Sequence, residues 1–318
     1  MGGRPRETGP VVDGVLVLDK PVGPTSHAVV QTVRRAAGQK RVGHTGTLDP
    51  AATGVLVVCL GRATKLVPFL QAGRKTYAAR MVLGVETDSQ DADGKVVERR
   101  DASHIDELRL CQALTRFQGD IQQIPPMVSA LKVDGERLHV KARRGEVIER
   151  APRNVTVDDL VLDAFVEGPT PEASFLVTCS AGTYVRTIAH DVGRALGVGG
   201  SLIGLRRLAN GPFTLDDAQT VDEVVSAGER GTFAALLLDP LDAVARVMPT
   251  VEVEDPDLVR RLTQGAKLPD PACDAETELV AVTSADRLIG IYRCDGRNPA
   301  RAELVWTRPE ELPAGERP

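Results

Sequence analysis

The chain has 318 residues, 42% of them apolar and 26% charged, with a formal net charge of −5. This composition is that of an ordinary globular protein, with room for one large domain or for a large domain and a small one. No apolar run approaches the roughly 20 residues that a membrane-spanning helix needs, and the first residues show no secretory signal pattern.

The polar, Gly/Pro-rich residues 1–12 are expected to be a flexible N-terminus. GVLVLDKPVGPTSHAVVQTVRRAAG then reads as strand, turn and helix, with Ser26 the expected N-cap. In RVGHTGTLDP (41–50), Asp49 before Pro50 reads locally as a helix start, with the aspartate as N-cap. The sharper reading makes Asp49 a nucleophile held by a glycine-shaped loop. ATGVLVVCLG is a buried strand ending at Gly61, and KTYAARMVLGVETD alternates as another strand. IDELRLCQALTRFQG has helical spacing with a glycine stop. FLVTCSAGTYVRTIAHDVGRALG runs from strand through a Gly-Thr turn into a helix, and GSLIGLRRLANGPF closes the region. GPTPEAS (168–174) and LPDPACDAE (268–276) read as loops. Strands and helices interleave without a regular βαβ repeat. The expected fold is therefore α+β, a mixed but largely antiparallel sheet flanked by helices. A boundary is expected after LDAVARVMP, giving a catalytic domain at 13–247 and a β-rich domain at 248–318 that holds ELVAVTS, RLIGIYR and ELVWT.

Chemistry narrows by subtraction. The GxxxxGK[ST] phosphate loop, HExxH, GxSxG and a GxGxxG after a strand are all missing. His44 and His190 have no ligand partners at metal spacing. Cys59, Cys111, Cys179, Cys273 and Cys294 are odd in number and dispersed, which argues against a disulfide framework and a zinc site and for a reducing cytoplasm. No metal and no cofactor is expected. The first 150 residues are net basic and the remainder net acidic, so the N-terminal part can meet a polyanion. RRAAGQKR (34–41), RLHVKARR (137–144) and the pair at 206–207 suit phosphate contacts.

Six segments together carry a resemblance: LDKPVGPTSH, GHTGTLDPAATGVL, RKTYAARMVLGVETDSQDADG, IPPMVSALKVDGERLHVKARRGE, CSAGTYVRTIAHDVGRALG and LRRLANGPF. In this order they span nearly all of residues 14–215, and they resemble the TruB family of tRNA pseudouridine synthases. The tail, with RRLTQGAKLPD and LIGIYRCDGR, looks like that family's small C-terminal PUA-type RNA-binding domain. The resemblance implies isomerisation of uridine 55 in the T-arm loop of tRNA, without metal or cofactor. It makes Asp49 the nucleophile, Arg186 its partner, lowering its pKa, and Tyr77 the ring that stacks on the target base. His44 would fill the space left by the flipped base, Lys20 support the loop, and Leu205 line the uracil pocket. Gly43 and Gly46 would allow close approach of RNA or a positive φ. His139 and Ala28 depart from the family, which usually has tyrosine and aspartate there.

Two other readings share these motifs. One is a synthase guided by RNA within a ribonucleoprotein. The other is a non-catalytic RNA-binding protein or tRNA-folding chaperone. The long 95–150 segment and the lack of a long basic tail favour the stand-alone enzyme. The expected partner is the tRNA T-arm, with no membrane, no obligatory protein partner and a monomeric state.

Overall fold

A computed structural model describes residues 11–127, 144, 146, 148–269, 277–294 and 299–313, together with the backbone of 132–133 and 136–137. The strands are β1 (Gly14–Lys20), β2 (Val42–His44), β3 (Thr53–Leu60), β4 (Lys75–Leu83), β5 (Val85–Thr87), β6 (Val96–Arg99), β7 (Gly119–Gln123), β8 (Lys132–Val133), β9 (Glu136–Arg137), β10 (Arg153–Val166), β11 (Glu172–Cys179), β12 (Gly200–Asn210), β13 (Phe213–Thr214), β14 (Gln219–Thr220), β15 (Thr250–Glu252), β16 (Leu279–Ser284), β17 (Arg287–Arg293) and β18 (Arg301–Val305). The helices are α1 (Ser26–Ala36), α2 (Val67–Gln71), α3 (Glu107–Thr115), α4 (Val185–Ala195), α5 (Val221–Arg230), α6 (Pro240–Ala245) and α7 (Pro256–Thr263).

The large sheet runs β14-β1-β3-β12-β4-β11-β10-β7, with β2 added to β3 and β13 to β12. Only β1–β14 and β3–β12 pair in parallel, so the sheet is mixed and largely antiparallel. Near-continuous apolar runs explain its centre. VLVL in β1 and VLVVCL in β3 are buried on both faces. On one face, Val29, Val30 and Val33 of α1 meet Leu16, Leu18, Leu56 and Val58. The other face of β1 and β3 packs on α6 and on Ala281, Leu288 and Ile291 of the four-stranded C-terminal sheet β15-β16-β17-β18. Farther along, α3 and α4 cover β4, β11 and β10. Arg62, just past β3, stacks at 4.9 Å on the Trp306 ring and pairs with Glu311, a polar clasp onto the C-terminal sheet.

Several local expectations shift. Thr25, not Ser26, caps α1, its hydroxyl accepting from the Ala28 N–H at 3.0 Å. Ser26 is the first helical residue, and its Oγ accepts from the Leu48 N–H at 2.8 Å and donates to the Leu48 carbonyl at 3.0 Å. Asp49 starts no helix: the Ala52 N–H returns to the Asp49 carbonyl at 3.1 Å, a single turn that feeds straight into β3. Gly61 ends β3 at a positive φ as expected, whereas Gly119, also at a positive φ, opens β7 four residues after α3 ends. Cys59, Cys111 and Cys179 are free, but Cys294 is disulfide-bonded, a bridge that the dispersed cysteines did not suggest. Among the described residues, no helix is long and apolar enough to cross a membrane.

Candidate active site

The loop between β2 and β3 is fixed from below and from the side before any ligand is considered. Lys20, at the end of β1, is fully buried and donates to the carbonyls of Pro21 (2.9 Å), Pro50 (3.2 Å) and Ala52 (2.6 Å). Ser26 grips both backbone groups of Leu48, and the Gly23 N–H donates to the Pro50 carbonyl. These ties leave Asp49 between two anchored neighbours, its side chain 48% exposed. It faces a cleft of about 250 Å³ lined by residues that include Thr45, Gly46, Tyr77, Leu205 and the 181–186 turn.

Arg186 enters from the first turn of α4, with its side chain 6% exposed. One end reaches Asp49 (Nη2–Oδ2, 3.5 Å) and the other makes a shorter pair with Asp91 (Nη1–Oδ2, 2.8 Å). Asp91 is the residue that sequence reading missed. It lay in the quoted DSQDADG run, but nothing in its spacing marks it. The turn is docked: Gln90, at φ +68°, gives its carbonyl to the Leu202 N–H and its side chain meets the Thr187 hydroxyl at 2.7 Å. Ser89 Oγ and the Asp93 N–H hold the other Asp91 oxygen. Gln123 also went unread. It clasps the Tyr184 N–H and carbonyl, bracing the turn that carries Arg186.

Electrostatics corrects one expectation. Arg186 does favour the charged Asp49, but burial outweighs it, and Asp91 and Asp93 add to the rise, so the carboxyl sits above its usual range. Burial likewise lowers Lys20 to about 8, with Asp49 opposing and Arg207 assisting. Tyr77, 8% exposed, is pushed up by burial, with the neighbouring Arg207 cation opposing. His44 is lowered, first by burial and then by the neighbouring Arg207 and His27. Its Nδ1 accepts from the Gly46 N–H at 3.2 Å, so the ring is neutral with its proton on Nε2.

The structure thus gathers Asp49, Tyr77, Arg186, Leu205 and Gly46 around one cleft. Lys20 lies beneath the loop, and Gly43 and His44 lie on β2 beside it. Neither Gly43 nor Gly46 takes a positive φ, and a Cβ on either would meet only ordinary contacts at 3.6 Å or more. The motif glycine that the chain itself requires is Gly54, at φ +101°, where a Cβ would stand 2.1 Å from the Arg207 carbonyl oxygen. Ala28 is exposed on α1, so its departure leaves no packing gap. His139 and nearly all of RLHVKARR lie outside the described residues. The arginine pair at 206–207 is not free for phosphate: Arg206 pairs with Asp19 at 2.7 Å, and Arg207 is 1% exposed.

A carboxylate gripped by a shared arginine, beside a buried tyrosine in one cleft, is the setting in which the comparisons with known proteins are decisive. The TruB family pseudouridylate synthase N-terminal domain matches residues 34–185, and the tRNA pseudouridylate synthase B C-terminal domain matches 186–245. A protein of Geobacter sulfurreducens named tRNA pseudouridine synthase B is 41% identical over 300 residues, 90% of this chain and 97% of its own. The chain belongs to the TruB family. A Symbiobacterium thermophilum protein of the same name is 51% identical over 242 residues, covering 76% of this chain and 79% of its own. Among solved structures, a Cbf5-Nop10-Gar1 complex matches with a TM-score of 0.71 at 28% identity, covering 93% of this chain and 85% of that one. A second solved structure, an H/ACA RNP bound to a substrate RNA, matches at a TM-score of 0.69 and 27% identity, covering 96% of this chain and 87% of that one.

Proposed function

We propose that this TruB-family protein isomerises uridine 55 in the T-arm loop of tRNA to pseudouridine, with Asp49 as the nucleophile. The observation that carries the reading is Asp49 itself, fixed at the cleft edge by the Lys20- and Ser26-tethered loop and held by Arg186. The relatives named tRNA pseudouridine synthase B support the substrate. In the reaction the N1–C1′ bond breaks, the base turns, C5 bonds to C1′ and the C5 proton leaves. Asp49 acts ionised, with Arg186 directing it, and either traps C1′, adds to C6 or initiates a glycal route. Tyr77 stacks on the base and Leu205 flanks it. The uridine must leave its loop at an unstacking cost of a few kcal/mol, and the neutral His44 ring fills the vacated space. Lys40 and Arg41, both exposed, track the RNA backbone.

We place the enzyme in the cytoplasm, working as a monomer without metal, cofactor or obligatory partner, and the domain boundary between 247 and 248. The test is incubation of the protein alone with an unmodified tRNA transcript, followed by mapping of pseudouridine along the RNA. Product at position 55 only is expected. Product that appears only with added guide RNA and partner proteins would instead assign the protein to the guided branch. Tight binding without product under either condition would leave the folding-chaperone reading.

A further inference from the structure

The site contains two cations that Asp49 chemistry does not use. Lys75 and Tyr77 stand two residues apart on β4, where buried and less buried positions alternate, so both point to the same face. Across the ladder Tyr77 is paired with Arg207 of β12. Lys75 is 5% exposed and Arg207 1% exposed, and both line the cleft. Among the described residues, neither is in an ion pair with a carboxylate. The Lys75 ammonium donates to the carbonyls of Gln71 (2.5 Å) and Gly73 (2.6 Å). Arg207 donates to the carbonyls of Val55 (2.6 Å) and Gly46 (3.2 Å). Burying two cations without a counter-ion costs folding free energy. The acid end of the cleft has its own cation in Arg186, so this expense is not explained by holding Asp49.

Resting on the reading of the cleft as a uridine-isomerising site, we propose that Lys75 and Arg207 form a cationic floor that stabilises the negative charge the base acquires when it separates from the ribose. When N1–C1′ breaks, the bonding pair stays with N1, and the charge spreads to O2 and O4 of the uracil. C1′ is meanwhile satisfied by an Asp49 oxygen or by loss of a C2′ proton. C5 then bonds to C1′ as the Asp49–C1′ bond breaks or as C2′ regains its proton, the C5 proton passes to solvent, and N1 takes a proton from solvent. An ammonium has three N–H donors, and the two carbonyls leave one for the base. Burial lowers Lys75 only to about 8, so it remains largely protonated at pH 7. Fixed charges in a water-poor cleft stabilise developing charge without reorganising.

Single-turnover conversion of a tRNA transcript by Lys75→Met, compared with wild type, reads the effect. A second transcript carries 5-fluorouridine at the target, whose base anion is inherently more stable, and its conversion is followed as loss of that nucleoside. With uridine, Lys75→Met is expected to slow the chemical step by about 100-fold, with RNA affinity within about threefold of wild type. With 5-fluorouridine the penalty should shrink to less than about tenfold, because a better leaving base needs less help. Lys75→Arg should recover most of the rate. An equal penalty on both substrates would mean that Lys75 only braces the α2–β4 connection, and a rate within about twofold of wild type would remove it from the chemistry. Either result overturns the proposal while leaving wild-type product formation, and hence the proposed reaction, standing. If Lys75→Met does not fold, Lys75→Gln provides the same pair of rates.

Discussion

Arg186 holds two carboxylates with one guanidinium, and the distances rank them: 2.8 Å to Asp91 and 3.5 Å to Asp49. Asp91 therefore fixes the arginine, and the arginine directs Asp49, the proposed nucleophile. Asp91→Asn should cut turnover by about 10- to 100-fold without weakening RNA binding, because it removes orientation and leaves the substrate surface intact. Its pH profile should also move. Asp49 must be ionised, and its raised pKa makes activity fall as pH drops through that value. Asp91 contributes to the rise, so Asp91→Asn should shift the acid limb to lower pH. An unshifted limb would show that the two acids are not coupled. Lys20 makes the second residue-level case. Its folded pKa of about 8 lies below the ordinary 10.5. Between these values the unfolded chain keeps the proton that the folded chain has released, so this residue makes stability rise with pH across that window. Denaturant unfolding of wild type and Lys20→Met at pH 7.5 and pH 10 should show a smaller alkaline gain for the variant. Equal gains would mean that the buried amine does not titrate as its surroundings dictate.

Elements whose role is set by local pattern were readable. The apolar runs of β1 and β3, the alternation of β4 and the end of β3 at Gly61 follow from burial and backbone freedom. What escaped was set by tertiary partners. β10 carries RNVTVDDLVLDAFV, with exposed Val161 and Val166, and its strand character comes from pairing with β7 and β11, not from a clean apolar face. Asp49–Pro50 looked like a helix start because that dipeptide satisfies a cap, but β3 takes the chain after a single turn. Ser26 looked like a cap, and is instead a clamp between α1 and the catalytic loop. Ser26→Ala would leave two buried backbone groups of Leu48 without partners, a loss of about 1–3 kcal/mol measurable by denaturant unfolding. Turnover should fall with it, since the loop that carries Asp49 loses one of its anchors. Unchanged stability would mean that the remaining ties, from Lys20 and the Gly23 N–H, hold the loop without Ser26.

At the scale of the whole molecule, the basic residues are less available to RNA than a charge count suggests. Arg34 donates to the Val42 carbonyl, Arg206 pairs with Asp19 and Arg207 is buried at the cleft. Charge summed along a sequence cannot distinguish a phosphate contact from a buried structural cation. Five of the six family segments, by contrast, were legible because each supplies a part of one site, while 124–146 lies mostly outside the described residues, and five of the eight residues read as candidates line one cleft. The exposed Lys40 and Arg41 remain available for backbone contacts. Affinity for a tRNA transcript, read by fluorescence anisotropy, should therefore drop at least about tenfold between 50 and 200 mM salt. A flat salt response would remove backbone tracking from the account.

The central claim is that Asp49 drives the exchange at uracil C5. Its most direct test is tritium release from C5-labelled uridine in an unmodified tRNA transcript, with wild type and Asp49→Asn side by side. Release by wild type and none by the variant, with both binding the RNA, is the predicted result. Release at the wild-type rate by Asp49→Asn would contradict it.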